Sequence, residues 1–555
     1  MIELKAYEGL IRNFAELAEE LQVSIEGCAR REREELLVMA AYRMWGAQMG
    51  AHINGQFAIV IEDAEAGEIF GTRDPLGAEL LFYYVTGDGR LLYGTEIKAL
   101  FGQTGFERKL DEGLIQYYLG YSYVPGEETL FKGVRKLEPG GYLRFCRNEN
   151  DGAVAGDLEL GRYWELSFEP DESKSLDDWA DELEAAMETS LSCICDAEEQ
   201  PDSFLSGGVD SSYILAKSRA RTGFCAVYAD QKASEEEEAR KTAEYLGRGF
   251  EGIEVTPEEF FSTLDEFLLA YEQPSADAAG LSLYCACKQV ARKSNLCFSG
   301  EGADEFFAGY NVYKHPDKFE GKSNPTYFGA TQAMRDFDIK HYLKKYSSNR
   351  KTGDFMKERG QGGRKYDTVS WMLYVDLRTY FEASILFNST KISRGTGLDI
   401  RMPYCDLRIF DIARRMPSKF KVDKSGNKLA LRKAAARVLP EEVAYRKKLG
   451  FPVPISGWLA DPRFNGDIRR AFESETAKKF FKVGELKALL DKFLTGKSNL
   501  WHKLRYRGNN AALWRRVWSI YIFIRWYELF FTEENFEKAR VNWDSPCKWP
   551  VPRSL

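Results

Sequence analysis

A chain of 555 residues exceeds the length at which one hydrophobic core stops growing, so two or more domains are expected. Its 77 basic and 85 acidic side chains leave a net charge of −8, which favours solubility and excludes a general attraction to nucleic acid or anionic lipid. The opening Met-Ile-Glu-Leu-Lys lacks the apolar core of a secretion signal and the ten cysteines form no regular framework, so a reducing cytoplasm is the expected location.

Residues 11–22 and 34–45 carry helical spacing, and 56–61 and 80–85 are short apolar runs flanked by loop signals. Residues 148–161, rich in Gly, Asp and Asn, read as a hairpin tip or exposed loop. Together these predict a compact α+β domain over residues 1–170. From residue 175 the texture changes to amphipathic helices alternating with short apolar strands, the pattern of a parallel sheet with crossover helices. Strands are expected at 202–205, 224–228 and 295–298, with helices at 210–220 and 235–246. This predicts a doubly wound α/β core within residues 175–540, a helical C-terminal part, and a tail at 541–555.

Residues 322–363 are polar, glycine-marked and expected to be partly mobile. The apolar stretch 517–531 is interrupted by Arg525 and Glu528 and is too short for a bilayer, so a packed core helix is expected and a membrane partner is not. Cys193 with Cys195 and Cys285 with Cys287 form CxC pairs, but no histidine neighbours them, so buried thiols are expected rather than a structural metal.

The strongest chemical signal is Phe204-Leu205-Ser206-Gly207-Gly208-Val209-Asp210-Ser211-Ser212, an apolar strand meeting a glycine turn that opens a helix. Adjacent glycines let several backbone N–H groups converge on one anion, and the helix N-terminus adds its positive end. Taken alone, the segment also reads as a capped helix start. It lacks the lysine of a Walker A loop and matches the SGGxDS loop of the ATP-pyrophosphatases. A second turn, Ser299-Gly300-Glu301-Gly302-Ala303-Asp304-Glu305, again follows a strand and mixes glycines with carboxylates. Two such turns at the carboxyl ends of parallel strands would face one crevice.

The second turn resembles the SGEGADELFGGY segment of class B asparagine synthetases. The stretches from Lys391 to Pro403 and from Leu439 to Phe451 are similar to two further segments of that family, as are Thr95 to Leu100 and Val134 to Tyr142 in the first domain. The resemblance implies an Ntn-type glutaminase-like sandwich, truncated at its start, followed by an adenylating domain that uses ATP and Mg²⁺. In that scheme a carboxylate attacks the α-phosphate of ATP, pyrophosphate stays in the loop from Ser206 to Ser212, and ammonia displaces AMP. Asp210 and Asp304 are expected to carry magnesium, and Lys448 to stabilise the phosphate during transfer, against the plainer reading of a solvated basic loop. Glu301 is expected to act as general base or as partner to the substrate's amino group. Leu205, Val227, Ser299 and Gly300 are expected beside adenine, and Asp399 and Arg401 on the substrate side.

The first domain departs from the family. Members begin Met-Cys-Gly, whereas the second residue here is Ile2; internal Cys28 has no free amine beside it. Tyr7-Glu8-Gly9-Leu10-Ile11-Arg12-Asn13 resembles the family's YNGEIYN, so a preceding stretch is expected to be missing. Glu8 stands at an oxyanion-hole asparagine, a negative charge where negative charge must be stabilised, and Glu79 stands at a lysine. An inactive glutaminase retained for packing is therefore expected, with nitrogen arriving as free ammonia, from a separate glutaminase, or as an amine on the substrate. Aspartate is the expected acid and a homodimer is compatible with the resemblance. On the substrate side Arg394 replaces a methionine, Asp399 a glutamate and Cys405 a leucine. These keep open a ligase of the β-lactam synthetase or peptide cyclase kind, beside a catalytically dead binding protein.

Overall fold

The computed structural model describes residues 2–147, 156–229, 235–322, 325–329, 332–447, 453–496 and 513–537. In the N-terminal part, strands β1 (Ile2–Ile11), β2 (Gly55–Asp63), β3 (Glu68–Arg73), β7 (Gly141–Arg147) and β8 (Gly156–Arg162) form an antiparallel sheet in the order β1-β2-β3-β7-β8. A second sheet, β5-β4-β6, is built from β4 (Phe82–Val85), β5 (Leu91–Gly94) and β6 (Arg135–Lys136). Strand β2 is apolar at successive positions because both its faces are covered. Phe57, Ile59 and Ile61 meet the helices Phe14–Glu20 and Arg30–Trp45, while Ala58 and Val60 meet the second sheet. The α+β character expected of this part is thus observed. Two local expectations change: Ile11 ends a strand, with the helix starting only at Phe14, and part of 148–161 is β8, paired with β7 from Gly141↔Arg162 to Arg147↔Gly156.

The second part is built on five parallel strands, β9 (Asp202–Phe204), β10 (Thr222–Val227), β11 (Gly249–Glu254), β12 (Leu296–Phe298) and β13 (Asp399–Arg401), in the order β11-β10-β9-β12-β13. Strand order reverses between β9 and β12, so the crossover helices divide between the two faces. One face carries Tyr213, Ile214, Ala239 and Ala243 against Leu205 and Cys225; the other carries Leu281, Cys285 and Cys287 against Phe224 and Cys297. Cys195, Cys285 and Cys287 are buried thiols, as expected, while Cys193 is half-buried. Strands β11 and β13 escape a search for apolar runs, since β11 reads GFEGIE and β13 is three residues long.

Helices fill the remainder. Asp336–Tyr342 and Thr352–Gly360 lie within the polar stretch 322–363. The helix Leu513–Phe531 is a core element, and Trp526 on it is fully buried, its indole N–H donating to the Glu272 carbonyl oxygen at 2.9 Å. Among the described residues no helix is long and apolar enough to cross a membrane.

The two parts share buried charge. Glu382 accepts Arg73 Nη1 at 2.9 Å and Lys136 Nζ at 2.7 Å, with every side chain at most 5% exposed. Arg12 Nη2 donates to the Met402 carbonyl oxygen at 2.9 Å, and Asn54 Nδ2 to Asp406 at 2.9 Å. Trp526→Ala is expected to cost about 3–5 kcal/mol, through lost packing and the orphaned Glu272 carbonyl. Urea unfolding checks this, and a change within about 0.5 kcal/mol, as for a surface substitution, would contradict the helix's role as core.

Candidate active site

Both glycine turns leave the carboxyl ends of neighbouring strands, β9 and β12, at the point where strand order reverses. Crossovers on opposite faces open a crevice there. Leu205 continues β9 into the core, and Gly207 takes a left-handed φ of +69°, which turns the chain into the helix Val209–Lys217 with Gly208 as its N-cap. Within this turn Gly208 N donates to Ser206 Oγ at 3.3 Å and Ser206 N to Ser211 Oγ at 3.1 Å. The loop's hydroxyls are therefore gathered at one rim.

The second turn lies directly against the first. A methyl group on Gly300 would sit 3.4 Å from Asp210 Cβ and 3.6 Å from Ser211 N. Ser299 N donates to the Arg401 carbonyl oxygen at 2.9 Å, and the Ser299 hydroxyl bonds the Glu301 carboxylate. Glu301 is held from a third side, where Cys405 Sγ approaches its carbonyl oxygen at 3.6 Å, and Tyr404 Oη donates to the Asp210 carbonyl oxygen at 3.2 Å. Val227 ends β10, the strand beside β9.

Asp210 and Asp304 converge on one cation that the sequence reading missed. Lys428 Nζ lies 2.5 Å from Asp210 Oδ2 and 2.6 Å from Asp304 Oδ1, and its side chain is 2% exposed. Lys428 has a left-handed φ of 54°, a conformation that costs a non-glycine residue of order 1 kcal/mol or more. Its neighbours hold the strain: Asn427 Nδ2 bonds the Gly309 carbonyl oxygen, and Arg432 Nε donates to the Asn427 carbonyl oxygen at 2.7 Å. Gly309 must be glycine, because a Cβ there would collide with the Asp304 carboxylate and Lys428 Cε. Arg446, also missed, donates from Nη1 to the Gly207 carbonyl oxygen at 2.7 Å and pairs with Glu238.

The donor set offers oxygens to a cation and to an anionic ligand, with the Lys428 ammonium lying between the two carboxylates and no group of three or more His, Cys, Asp or Glu gathered to hold a metal ion among the described residues. Two carboxylates from separate strand ends meet, and Asp210 Oδ1 and Ser212 Oγ are buried with no hydrogen-bonding partner among the described residues. Lys448 lies outside the described residues. Asp399 and Arg401, expected on the substrate side, pair with each other here. The Arg401 guanidinium spans Glu199 and Asp399, each at 2.7 Å, and donates to the Ile194 carbonyl oxygen at 2.5 Å. This pairing holds Glu199 down to about 2 against the upward push of burial, so Arg401 works as a structural cation.

Comparison with known proteins decides the family. The profile described as asparagine synthase matches residues 182–528, and the glutamine amidotransferase domain profile matches 3–164. The chain belongs to the asparagine synthase family. Members are ATP-dependent ligases, and this chain pairs an amidotransferase-like domain with the synthase domain. It is 28% identical to the protein named asparagine synthetase [glutamine-hydrolyzing] 1 of Bacillus subtilis, over 96% of this chain and 85% of that one. It is 27% identical to a putative asparagine synthetase of Mycobacterium bovis, over 94% and 84%. Against asparagine synthetase [glutamine-hydrolyzing] 3 of Bacillus subtilis the identity is 26%, over 83% and 78%.

Lys428→Met leaves two carboxylates facing each other without their buried cation. In magnesium-free buffer it is expected to lose about 3–5 kcal/mol of stability by urea unfolding. An unchanged midpoint would show that the ammonium does not carry this contact.

Proposed function

We propose that this chain makes an amide from a carboxylate in two steps, with aspartate as the acid and ammonia as the nucleophile. The observation that carries the reading is the contact of the two turns at the β9–β12 reversal, where Asp210 and Asp304 converge. A carboxylate resists attack because its carbon is electron-rich and oxide is a poor leaving group. In the first step the acid's oxygen attacks the α-phosphorus of ATP and pyrophosphate departs. In the second, ammonia adds to the acyl carbon and AMP leaves.

Backbone N–H groups from Ser206 to Gly208 and the hydroxyls of Ser206, Ser211 and Ser212 receive the departing pyrophosphate at the head of the helix Val209–Lys217. Asp210 and Asp304 would hold magnesium, whose contribution is to neutralise charge gathering on the phosphate oxygens. Lys448 stabilises that charge on the transferred phosphate. Glu301, oriented by Ser299, takes the proton of the incoming ammonium or holds the substrate's amino group. Leu205, Val227, Ser299 and Gly300 border the adenine. Cys405 at the Glu301 carbonyl oxygen, where the family carries leucine, favours a second reading in which the acid differs from aspartate.

The nitrogen reaches this site as ammonia, free or from a separate glutaminase. Support comes from Glu8 at the oxyanion-hole position, and from Glu79 at a lysine position, where it is engaged by Arg394.

Purified protein with ATP, Mg²⁺, aspartate and ammonium is expected to release AMP and pyrophosphate in equal amounts. Release only with another acid would transfer the reading to that acid, and silence with every acid would point to a binding protein. Asp304→Ala is expected to lower pyrophosphate release by at least about a hundredfold, and normal turnover would remove its metal role. Glutamine is expected to be a poor substitute for ammonium; full substitution would refute the inactive glutaminase.

A further inference from the structure

Two departures of the N-terminal domain, Glu8 and Glu79, and one of the synthetase part, Arg394, read in sequence as unrelated changes. In the structure two of them, Glu79 and Arg394, meet. Arg394, on the helix Phe387–Thr396, sends Nη2 to Glu79 Oε2 at 2.5 Å and Nη1 to the Thr95 carbonyl oxygen at 2.8 Å. The two side chains are 19% and 16% exposed. Glu79 is fixed for this contact: its backbone N–H donates to Asp74 Oδ2 at 2.9 Å, and Arg73 Nε donates to its carbonyl oxygen. Burial pushes the Glu79 carboxyl up, with Arg394 opposing. Burial also works against the Arg394 charge, yet Glu79, Glu96 and Glu8 hold the guanidinium above its usual value. Burial raises Glu8 too, with Arg394 the leading opposing charge. One guanidinium from the synthetase part therefore pairs with an N-terminal carboxylate at an altered position.

Arg394 also stands at the root of a stretch that borders the site. Its neighbour Ser393 donates from Oγ to the Leu398 carbonyl oxygen at 2.7 Å and accepts from Ile400 N at 3.3 Å, so the helix end braces β13. Beyond β13 the same stretch carries Tyr404 and Cys405, which touch Asp210 and Glu301. We propose that Glu79 and Arg394 act as one coupled pair, an ionic socket between the N-terminal domain and the synthetase part. Arg394 is then the positioning residue that sets residues 397–405 against the adenylating site. This rests on the reading of the N-terminal domain as one that does not hydrolyse glutamine.

The test is a double-mutant cycle on the full chain, with Glu79→Arg, Arg394→Glu and the swapped pair, plus Arg394→Met as a charge-free variant that keeps side-chain volume. Each charge reversal is expected to lower the thermal midpoint by about 5 °C or more, and the swap to recover at least about half of the shift. In pyrophosphate release driven by ammonium, Arg394→Met is expected to raise KM for the acid roughly tenfold with kcat nearly kept, the pattern of lost positioning. Additive midpoints in the swapped pair, or an unaltered KM in Arg394→Met, overturn the socket. Should a reversal fail to fold, recovery of folded protein in the swap still decides the coupling. Glutamine-dependent turnover by the unmodified chain would instead strike the non-hydrolysing reading, and the cycle tells the two failures apart.

Discussion

The site depends on one steric fact, that two turns from adjacent strands occupy nearly the same place. Gly300 lies at ordinary van der Waals distance from Asp210, while Gly309 has no room for a side chain beside Asp304. Because Gly309 carries no side chain, carboxylates almost a hundred residues apart in sequence can share the Lys428 ammonium. Two negative groups so close repel, and the buried Lys428 ammonium offsets that repulsion. The left-handed Lys428 backbone is the local cost of delivering that charge, and Asn427 and Arg432 hold it in place.

The second layer of control comes from the N-terminal domain. Arg12 holds the Met402 carbonyl, Asn54 holds Asp406, and Glu79 holds Arg394. These three contacts fall on a short stretch of the synthetase part, the one that presents Tyr404 and Cys405 to the two turns. The Asn54 side chain faces the neighbouring domain. Through these contacts the N-terminal domain fixes the stretch that borders the site.

Much of this was legible in residues alone, for identifiable reasons. A strand running into Ser-Gly-Gly or Ser-Gly-Glu-Gly carries its own local physics, so both turns and their placement at the carboxyl ends of parallel strands could be read directly. Lys428 could not, because Gly426-Asn427-Lys428 has the texture of an ordinary surface turn and its partners lie far away in sequence. The ion pairs of Asp399 and Arg401 were hidden for the converse reason. Their place in a family segment suggested substrate, while Glu199 and the Ile194 carbonyl, invisible from that segment, had already claimed the guanidinium. Strand β1 was half misread since Ile11 fits a helical stripe as well as a strand end, and only pairing with Gly55 distinguishes them.

The buried Glu382 cluster has a consequence for how the chain can be divided. Sequence profiles meet between residues 164 and 182, which invites a cut there. Such a cut would leave Glu382 on one fragment and both of its cations, Arg73 and Lys136, on the other, each stripped of its counter-ion in a region built to exclude water. Heredity can shuffle these two modules as separate cassettes, but in this molecule neither half is a free-standing tenant of its own interior.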